Sequence, residues 1–205
     1  MSKVTILKLG VYNRGSIFNW LWRNGCQPVE ECGASIKLDD VQNLIIPGVS
    51  TFEKLQSAFQ NLDVELFREK VSAGELRVIA ICAGMQFLFE SSEESPGAKG
   101  LGLLKGHISK LQPDSHQSVK SVNIGWRETH INTAQFNHAD PVHSFYYCHK
   151  YGLANVELDD VIVGKSVFAG VEFASIVKWK ALLGVQFHPE ISGFAADKIL
   201  QHFDG

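Results

Sequence analysis

The sequence is short of the features that usually announce a metal, a membrane or a nucleic acid. Its four cysteines, Cys26, Cys32, Cys82 and Cys148, form no C-x-x-C pair and no metal-type spacing, so no zinc or redox-dithiol motif is expected. No signal peptide is legible at the start of the chain, and the thiols are expected to stay reduced in a cytoplasmic setting. No apolar run reaches membrane-spanning length. Neither charge dominates: 19 Lys and Arg face 22 Asp and Glu, a net charge of −3, which gives no general attraction to nucleic acid or to a membrane surface. Linkers, repeats and low-complexity tracts are missing too. What remains is an ordinary globular chain of 205 residues, 45% hydrophobic and 20% charged, long enough for one large domain over residues 1–205 with a sizeable core. The eight histidines are scattered; His107, His116, His130, His138, His149 and His202 are read as surface or polar-network residues, and no metal site is expected.

Apolar runs and amphipathic segments alternate through the first half. Lys3 to Leu9, Val29 to Cys32, Leu44 to Ile46 and Val78 to Ile81 read as strands. Helices are expected from Ile17 to Asn24, from the capping pattern Ser50-Thr51-Phe52-Glu53, over Val64 to Ala73, and over Met85 to Phe89. Such alternation predicts an α/β fold with a mostly parallel sheet covered on both faces. The second half changes character: Gly106 to Leu111, Val119 to Ile124, Phe145 to Tyr151, Val161 to Val163, Phe173 to Val177 and Leu182 to Phe187 are strand candidates joined by short turns. Ile199 to Phe203 suits a closing helix.

Chemistry concentrates at two strand ends. Val78-Ile79-Ala80-Ile81 runs into Cys82-Ala83-Gly84-Met85-Gln86, a thiol on a strand-to-helix corner with small neighbours. First-turn amides at such a corner, chiefly that of Ala83, favour a thiolate and an oxyanion. A free thiol near pKa 8.5 needs that help at neutral pH. A buried structural cysteine is the competing reading of the same residues, and locally the two stand side by side. About a hundred residues on, Val185-Gln186-Phe187 leads into His188-Pro189-Glu190. Proline biases His188 to an extended backbone, and residues two apart on an extended segment project to one side, so Glu190 is placed to orient the imidazole. Together these make a Cys-His-Glu nucleophilic set.

The two segments, Ile79-Ala80-Ile81-Cys82-Ala83-Gly84-Met85-Gln86 and Gly184-Val185-Gln186-Phe187-His188-Pro189-Glu190, resemble class I (triad) glutamine amidotransferases. Ile46-Pro47-Gly48-Val49, Phe89-Glu90-Ser91-Ser92-Glu93-Glu94, Lys99 to Leu104, Ile124-Gly125-Trp126 and Val142-His143-Ser144 are similar to one branch, the glutaminase subunits of imidazole glycerol phosphate synthase. The resemblance spans essentially the whole chain. It implies a flavodoxin-like three-layer sandwich, with hydrolysis of glutamine to glutamate and ammonia through a Cys82 thioester, assisted by His188 and Glu190. It also implies an oxyanion strand at Gly48 and Val49. Substrate contacts would come from Gly84, Gln86, Glu94 (to the α-ammonium) and Ser144 with Phe145. No cofactor is implied. The partner would be a cyclase barrel that receives the ammonia for histidine biosynthesis, met near Asn123 and Trp126; a core Trp126 is the alternative.

Some positions depart from that pattern. Ser50 stands in place of glycine, Val122-Asn123 in place of Pro-His, Arg127 in place of asparagine, Ser16 in place of the first asparagine of its segment, and Ala80 in place of the elbow's first glycine. Most were expected near the partner-facing side. They motivate a runner-up, a paralogous subunit supplying ammonia to a nucleotide-sugar synthase of surface polysaccharides. A γ-glutamyl hydrolase or cysteine peptidase shares the corner geometry. A non-enzymatic relative would typically have lost a triad member, and all three are present.

Overall fold

The computed structural model describes residues 2–10, 12–32, 36–48, 51–112, 122–134, 141–155 and 159–204. In chain order the elements are β1 (Lys3–Lys8), α1 (Arg14–Arg23), β2 (Gln27–Cys32), β3 (Asn43–Ile46), α2 (Phe52–Ala58), α3 (Val64–Ala73), β4 (Arg77–Ile81) and α4 (Ala83–Gln86). There follow β5 (Ser91–Ser92), β6 (His107–Lys110), β7 (Asn123–Ile131), β8 (Val142–His149), β9 (Tyr151–Gly152), β10 (Ile162–Phe168), β11 (Val171–Trp179) and β12 (Leu182–Val185). Short 3-10 segments occupy Leu38–Asp40 and Pro189–Ile191, and a longer one, Phe194–Phe203, closes the chain.

The main sheet runs β2-β1-β3-β4-β12-β11-β10-β7-β8. From β2 to β12 every pairing is parallel, and from β12 to β8 every pairing is antiparallel. The strands show why. β3 and β12 are buried throughout and β1 and β4 nearly so, as strands covered on both faces must be. Alternate residues then feed opposite layers. Val4, Ile6, Ile45, Ile79 and Ile81 pack with Ile17, Trp20 and Leu21 of α1 and with Ile199 and Phe203. Leu7, Leu44, Ile46, Val78 and Ala80 pack with Phe52 and Leu55 of α2, Phe67 and Val71 of α3, and Met85. This is the three-layer α/β sandwich, with an antiparallel extension of the sheet on one side. β7 and β8 instead alternate between buried and exposed positions, the mark of strands covered on one face only.

Helix boundaries follow local chemistry. Asp63 caps α3 by accepting from the Leu66 amide at 3.0 Å, and Thr51, one residue beyond the expected start, caps α2 by accepting from Lys54 at 3.4 Å. Ser50 lies outside the described residues.

Several elements differ from the sequence expectation. The helix expected over Met85 to Phe89 is instead α4, ending at Gln86, followed by turns. The carbonyls of Phe87, Leu88 and Phe89 accept from Leu101, Leu104 and Gly102, so a neighbouring segment takes the bonds that a longer helix would have used. The closing helix is a 3-10 segment starting at Phe194. β7 continues to Ile131 and β10 to Phe168, well past the expected ends; residues 119–121 of the expected strand lie outside the described set.

Candidate active site

Catalytic material collects where parallel strands end, at the carboxyl edge of the sheet, the usual place for a ligand crevice in such folds. β4 and β12 are neighbours with Ile81 opposite Val185, so the residues just beyond each strand leave the sheet side by side. Cys82 follows β4 with φ 49° and ψ −110°, a conformation outside the ordinary regions for a residue with a side chain and costing on the order of 1–3 kcal/mol. Two hydrogen bonds hold it there: its amide donates to Val185 O at 2.7 Å, and its carbonyl accepts from Gln86 N at 3.0 Å. Close packing explains the small neighbours. A Cβ on Gly48 would lie 2.6 Å from Cys82 Cβ, and one on Gly84 would lie 2.5 Å from Ile46 O. Gly84 therefore serves backbone approach to β3. The methyl of Ala80 is absorbed in the helix-covered core. With four residues, α4 supplies first-turn amides at Ala83 and Gly84 but little macrodipole.

His188 lies three residues past β12 and keeps the extended backbone that Pro189 favours, φ −100° and ψ 94°. Its amide donates to Tyr146 O at 2.9 Å, and its carbonyl accepts from the Ser192 hydroxyl at 2.6 Å. His188 Nδ1 meets Glu190 Oε1 at 2.9 Å, with both residues about 5% exposed. The physical reason differs from the expected one: Glu190 belongs to the Pro189–Ile191 3-10 turn, and that turn, not an extended segment, brings the carboxylate back to the ring. Glu190 Oε2 is buried with no hydrogen-bond partner among the described residues.

Electrostatics separate the two histidines of the site. Burial alone pushes His188 down, but the charge and hydrogen bond of Cys82, then those of Glu190, outweigh it and hold the imidazole well above its ordinary value. The ring is thus held between the sulfur and a carboxylate, the arrangement that favours its charged form. His149 goes the other way: burial pushes it down to about 4, opposed by its bond to Tyr151 O and reinforced by repulsion from His188.

Cys82 and both histidines line a cavity of about 360 Å³. Cys82, Ala83, Gly48 and His188 form its reactive end, and Gln86, Glu94, Lys150 and Tyr151 are among its other walls. Glu94 Oε2 accepts from Phe52 N at 2.9 Å. A carboxylate and an ammonium in one cavity suit the two charges of an α-amino acid.

Not every expected site residue lies there. Ser144 is exposed on β8 and is not part of the wall; Tyr146 and Cys148, on the same face of the strand, are. Phe145 is a core residue, stacked on Phe187 at 3.9 Å between centroids. Val49 lies outside the described residues. Asn123 is corrected: expected at a partner interface, it is fully buried and donates through Nδ2 to His149 Nε2 at 2.9 Å. Trp126 is 53% exposed beside Ile124 at 56%, with its ring edge-on to Tyr146 at 6.1 Å. Gln86 is nearly buried and spends its Nε2 on Tyr151 O at 2.7 Å and Gln186 Oε1 at 3.1 Å. Sequence reasoning missed Gln186, Tyr146, Cys148, Lys150 and Tyr151. Only Gln186 carried a signal, standing two residues before His188 and hence on its side of an extended segment.

Known proteins resemble this chain over most of its length. The family profile described as glutamine amidotransferase class-I matches residues 25–203. The imidazole glycerol phosphate synthase subunit HisH of Methanopyrus kandleri is 34% identical over 97% of this chain and 95% of its own length. The protein of the same description from Thermotoga maritima is 35% identical over 77% of this chain and 73% of its own. Among solved structures, PurLQS from Thermotoga maritima superposes with a TM-score of 0.69 at 22% identity, covering 98% of this chain and 97% of that one. A crystal structure of a glutamine amidotransferase does so with a TM-score of 0.65 at 18% identity, over 98% and 96%. At such identities the structures speak for the fold alone.

Proposed function

Because the chain belongs to the class I glutamine amidotransferase family, we propose that it is the glutaminase subunit of an imidazole glycerol phosphate synthase, working in the cytoplasm for histidine biosynthesis. The single observation that carries the chemistry is the meeting of Cys82, His188 and Glu190 past the ends of β4 and β12, with Cys82 and His188 lining a cavity that also holds Glu94.

The steps follow from the geometry. Glu190 engages Nδ1 of His188, which leaves the other ring nitrogen to the sulfur. The Cys82 thiolate attacks the side-chain amide carbon of glutamine, and the carbonyl oxygen takes the negative charge. The Ala83 amide, with Gly48 packed against Cys82, stabilises that oxyanion. As the tetrahedral species collapses, the carbon–nitrogen bond breaks and His188 gives its proton to the departing nitrogen, releasing ammonia and leaving a thioester. Neutral His188 then takes a proton from water, which attacks the thioester; the carbon–sulfur bond breaks, glutamate leaves and the thiolate returns. Glu94 and Lys150 receive the ammonium and carboxylate of the substrate.

Ammonia set free in bulk water is protonated and loses its nucleophilicity, so a glutaminase of this kind needs a partner at its mouth. Trp126 and Ile124, exposed next to the cavity residue Tyr146, are the apolar anchors we assign to a cyclase (β/α)8 barrel. The runner-up, a nucleotide-sugar synthase, rested on departures at the partner face; buried Asn123 is no longer one of them. The test is ammonia release from glutamine by the chain alone and with a histidine-pathway cyclase carrying its nucleotide ligand. A stable complex with stimulated release is expected. No complex and no stimulation would sink the assignment, and cleavage of γ-glutamyl peptides in its place would point to a hydrolase.

A further inference from the structure

Gln186 lies one residue beyond β12 and is fully buried. Its neighbours settle which way its carboxamide faces. A backbone carbonyl only accepts hydrogen bonds, so Tyr151 O requires the Nε2 of Gln86, which it receives at 2.7 Å. The second hydrogen of that nitrogen goes to Gln186 Oε1 at 3.1 Å. Gln186 must then turn its own Nε2 onward, where it lies 3.6 Å from Cys82 Sγ. Turning Gln86 over would set its oxygen against two others, and turning Gln186 over would set N–H against N–H, each a costly arrangement in a buried site. One carbonyl thus aligns two amides, and the relay ends in an N–H aimed at the sulfur.

We propose that Gln186 is a catalytic residue, a neutral donor that holds and aims the Cys82 thiolate, with Gln86 positioning it from behind. The inference rests on Cys82 being the nucleophile, as proposed above. A donor of this kind favours the charged sulfur without adding a second positive charge beside His188, whose proton must still be given away. It serves twice in the cycle. Before attack it raises the share of thiolate; at hydrolysis, when the carbon–sulfur bond breaks and the electron pair returns to sulfur, it stabilises the leaving group. It also gives Gln86 a role other than the expected one, since both hydrogens of its nitrogen are committed within the protein.

The test reads the sulfur directly. The titratable groups around it are His188 backed by Glu190, then Cys148, His149 and Lys150 from the end of β8, and Glu94 across the cavity. Tyr146 and Tyr151 complete the wall. Alkylation by iodoacetamide is followed against pH by mass spectrometry of the peptide that carries Cys82, so the other thiols do not contribute. Gln186→Met, of similar size, is expected to move the alkylation midpoint up by about one pH unit, roughly a tenfold slower reaction below the midpoint. It should also lower kcat more than it alters KM. Gln86→Met, which frees Gln186 to turn, should move the midpoint the same way by less. A merely structural role would lower thermal stability and leave the midpoint in place. An unmoved midpoint in folded Gln186→Met overturns the inference; should that variant not fold, an unmoved midpoint in Gln86→Met does so. Cys82→Ala separates the two levels: undiminished ammonia release there would fail the nucleophile assignment itself.

Discussion

The parallel and antiparallel halves of the sheet are stabilised by different physics. β1, β3, β4 and β12 present apolar side chains to both layers, with Val4, Ile6, Ile45, Ile79 and Val185 fully buried. The antiparallel half hides polar groups in its core. The hydroxyls of Thr129, Tyr147 and Ser175 bond one another, Ser166 Oγ donates to Glu128 O at 2.6 Å, and Asn123 supports His149. The site uses both halves: β4 and β12 deliver Cys82 and His188, and β8 anchors the His188 amide and supplies the far wall through Tyr146, Cys148 and His149. Delivery of the reacting atoms and the polar lining of the cavity are thus divided between the two halves.

The largest expected effect tests the side that delivers the reacting atoms. His188→Ala should lower glutamine hydrolysis about 10² to 10⁴-fold, measured with the partner present, and a variant keeping most of its rate would break the division. Next, Ile79→Ala opens a hole between β4 and α1, and should cost about 2–5 kcal/mol in denaturant unfolding; a loss under about 1 kcal/mol would mean the parallel core is looser than its burial implies.

On the polar side the sign is set by His149. Its folded value, about 4, lies below the ordinary value near 6.5, so between those limits the unfolded chain binds a proton that the folded chain refuses. Stability from this group is therefore complete above about pH 6.5 and is lost as pH falls through about 4, a total of about 3 kcal/mol. Replacing His149 with Gln should flatten that part of the stability–pH curve. His188 acts oppositely. With its folded value raised, its contribution is complete below about pH 6.5 and fades as pH rises through the raised value. Smallest is Tyr147→Phe, which removes one hydroxyl from a shared cluster and should cost about 1 kcal/mol. A cost matching that of Ile79→Ala would erase the contrast between the halves.

The same contrast explains what was legible in the sequence. Unbroken apolar runs such as Leu44-Ile45-Ile46 and Val78 to Ile81 announce strands buried on both faces, and α3 is bounded by Asp63 and Gly74 where capping chemistry puts them. Cys82 and the His188-Pro189-Glu190 step were found because each follows such a run. β7 was read short because Glu128 and His130, on its uncovered face, and the charged Arg127 between Trp126 and Glu128 interrupt its apolar pattern. The ligand walls on β8 were missed for a related reason. Nothing local marks Cys148 or Lys150 as facing a cavity that only the curl of the sheet creates. Asn123 was placed at the partner face through the family resemblance, and an isolated Asn gives no hint of a buried histidine that needs its donor.

The most direct measurement is an acid quench during turnover of glutamine with the partner bound, followed by mass spectrometry of the peptide that carries Cys82. A glutamyl group on that sulfur, appearing before glutamate is released and missing in Cys82→Ala, is the predicted result. Sustained ammonia production with that sulfur unmodified, and unchanged on removing it, would contradict the meeting of Cys82 and His188 as the reactive centre.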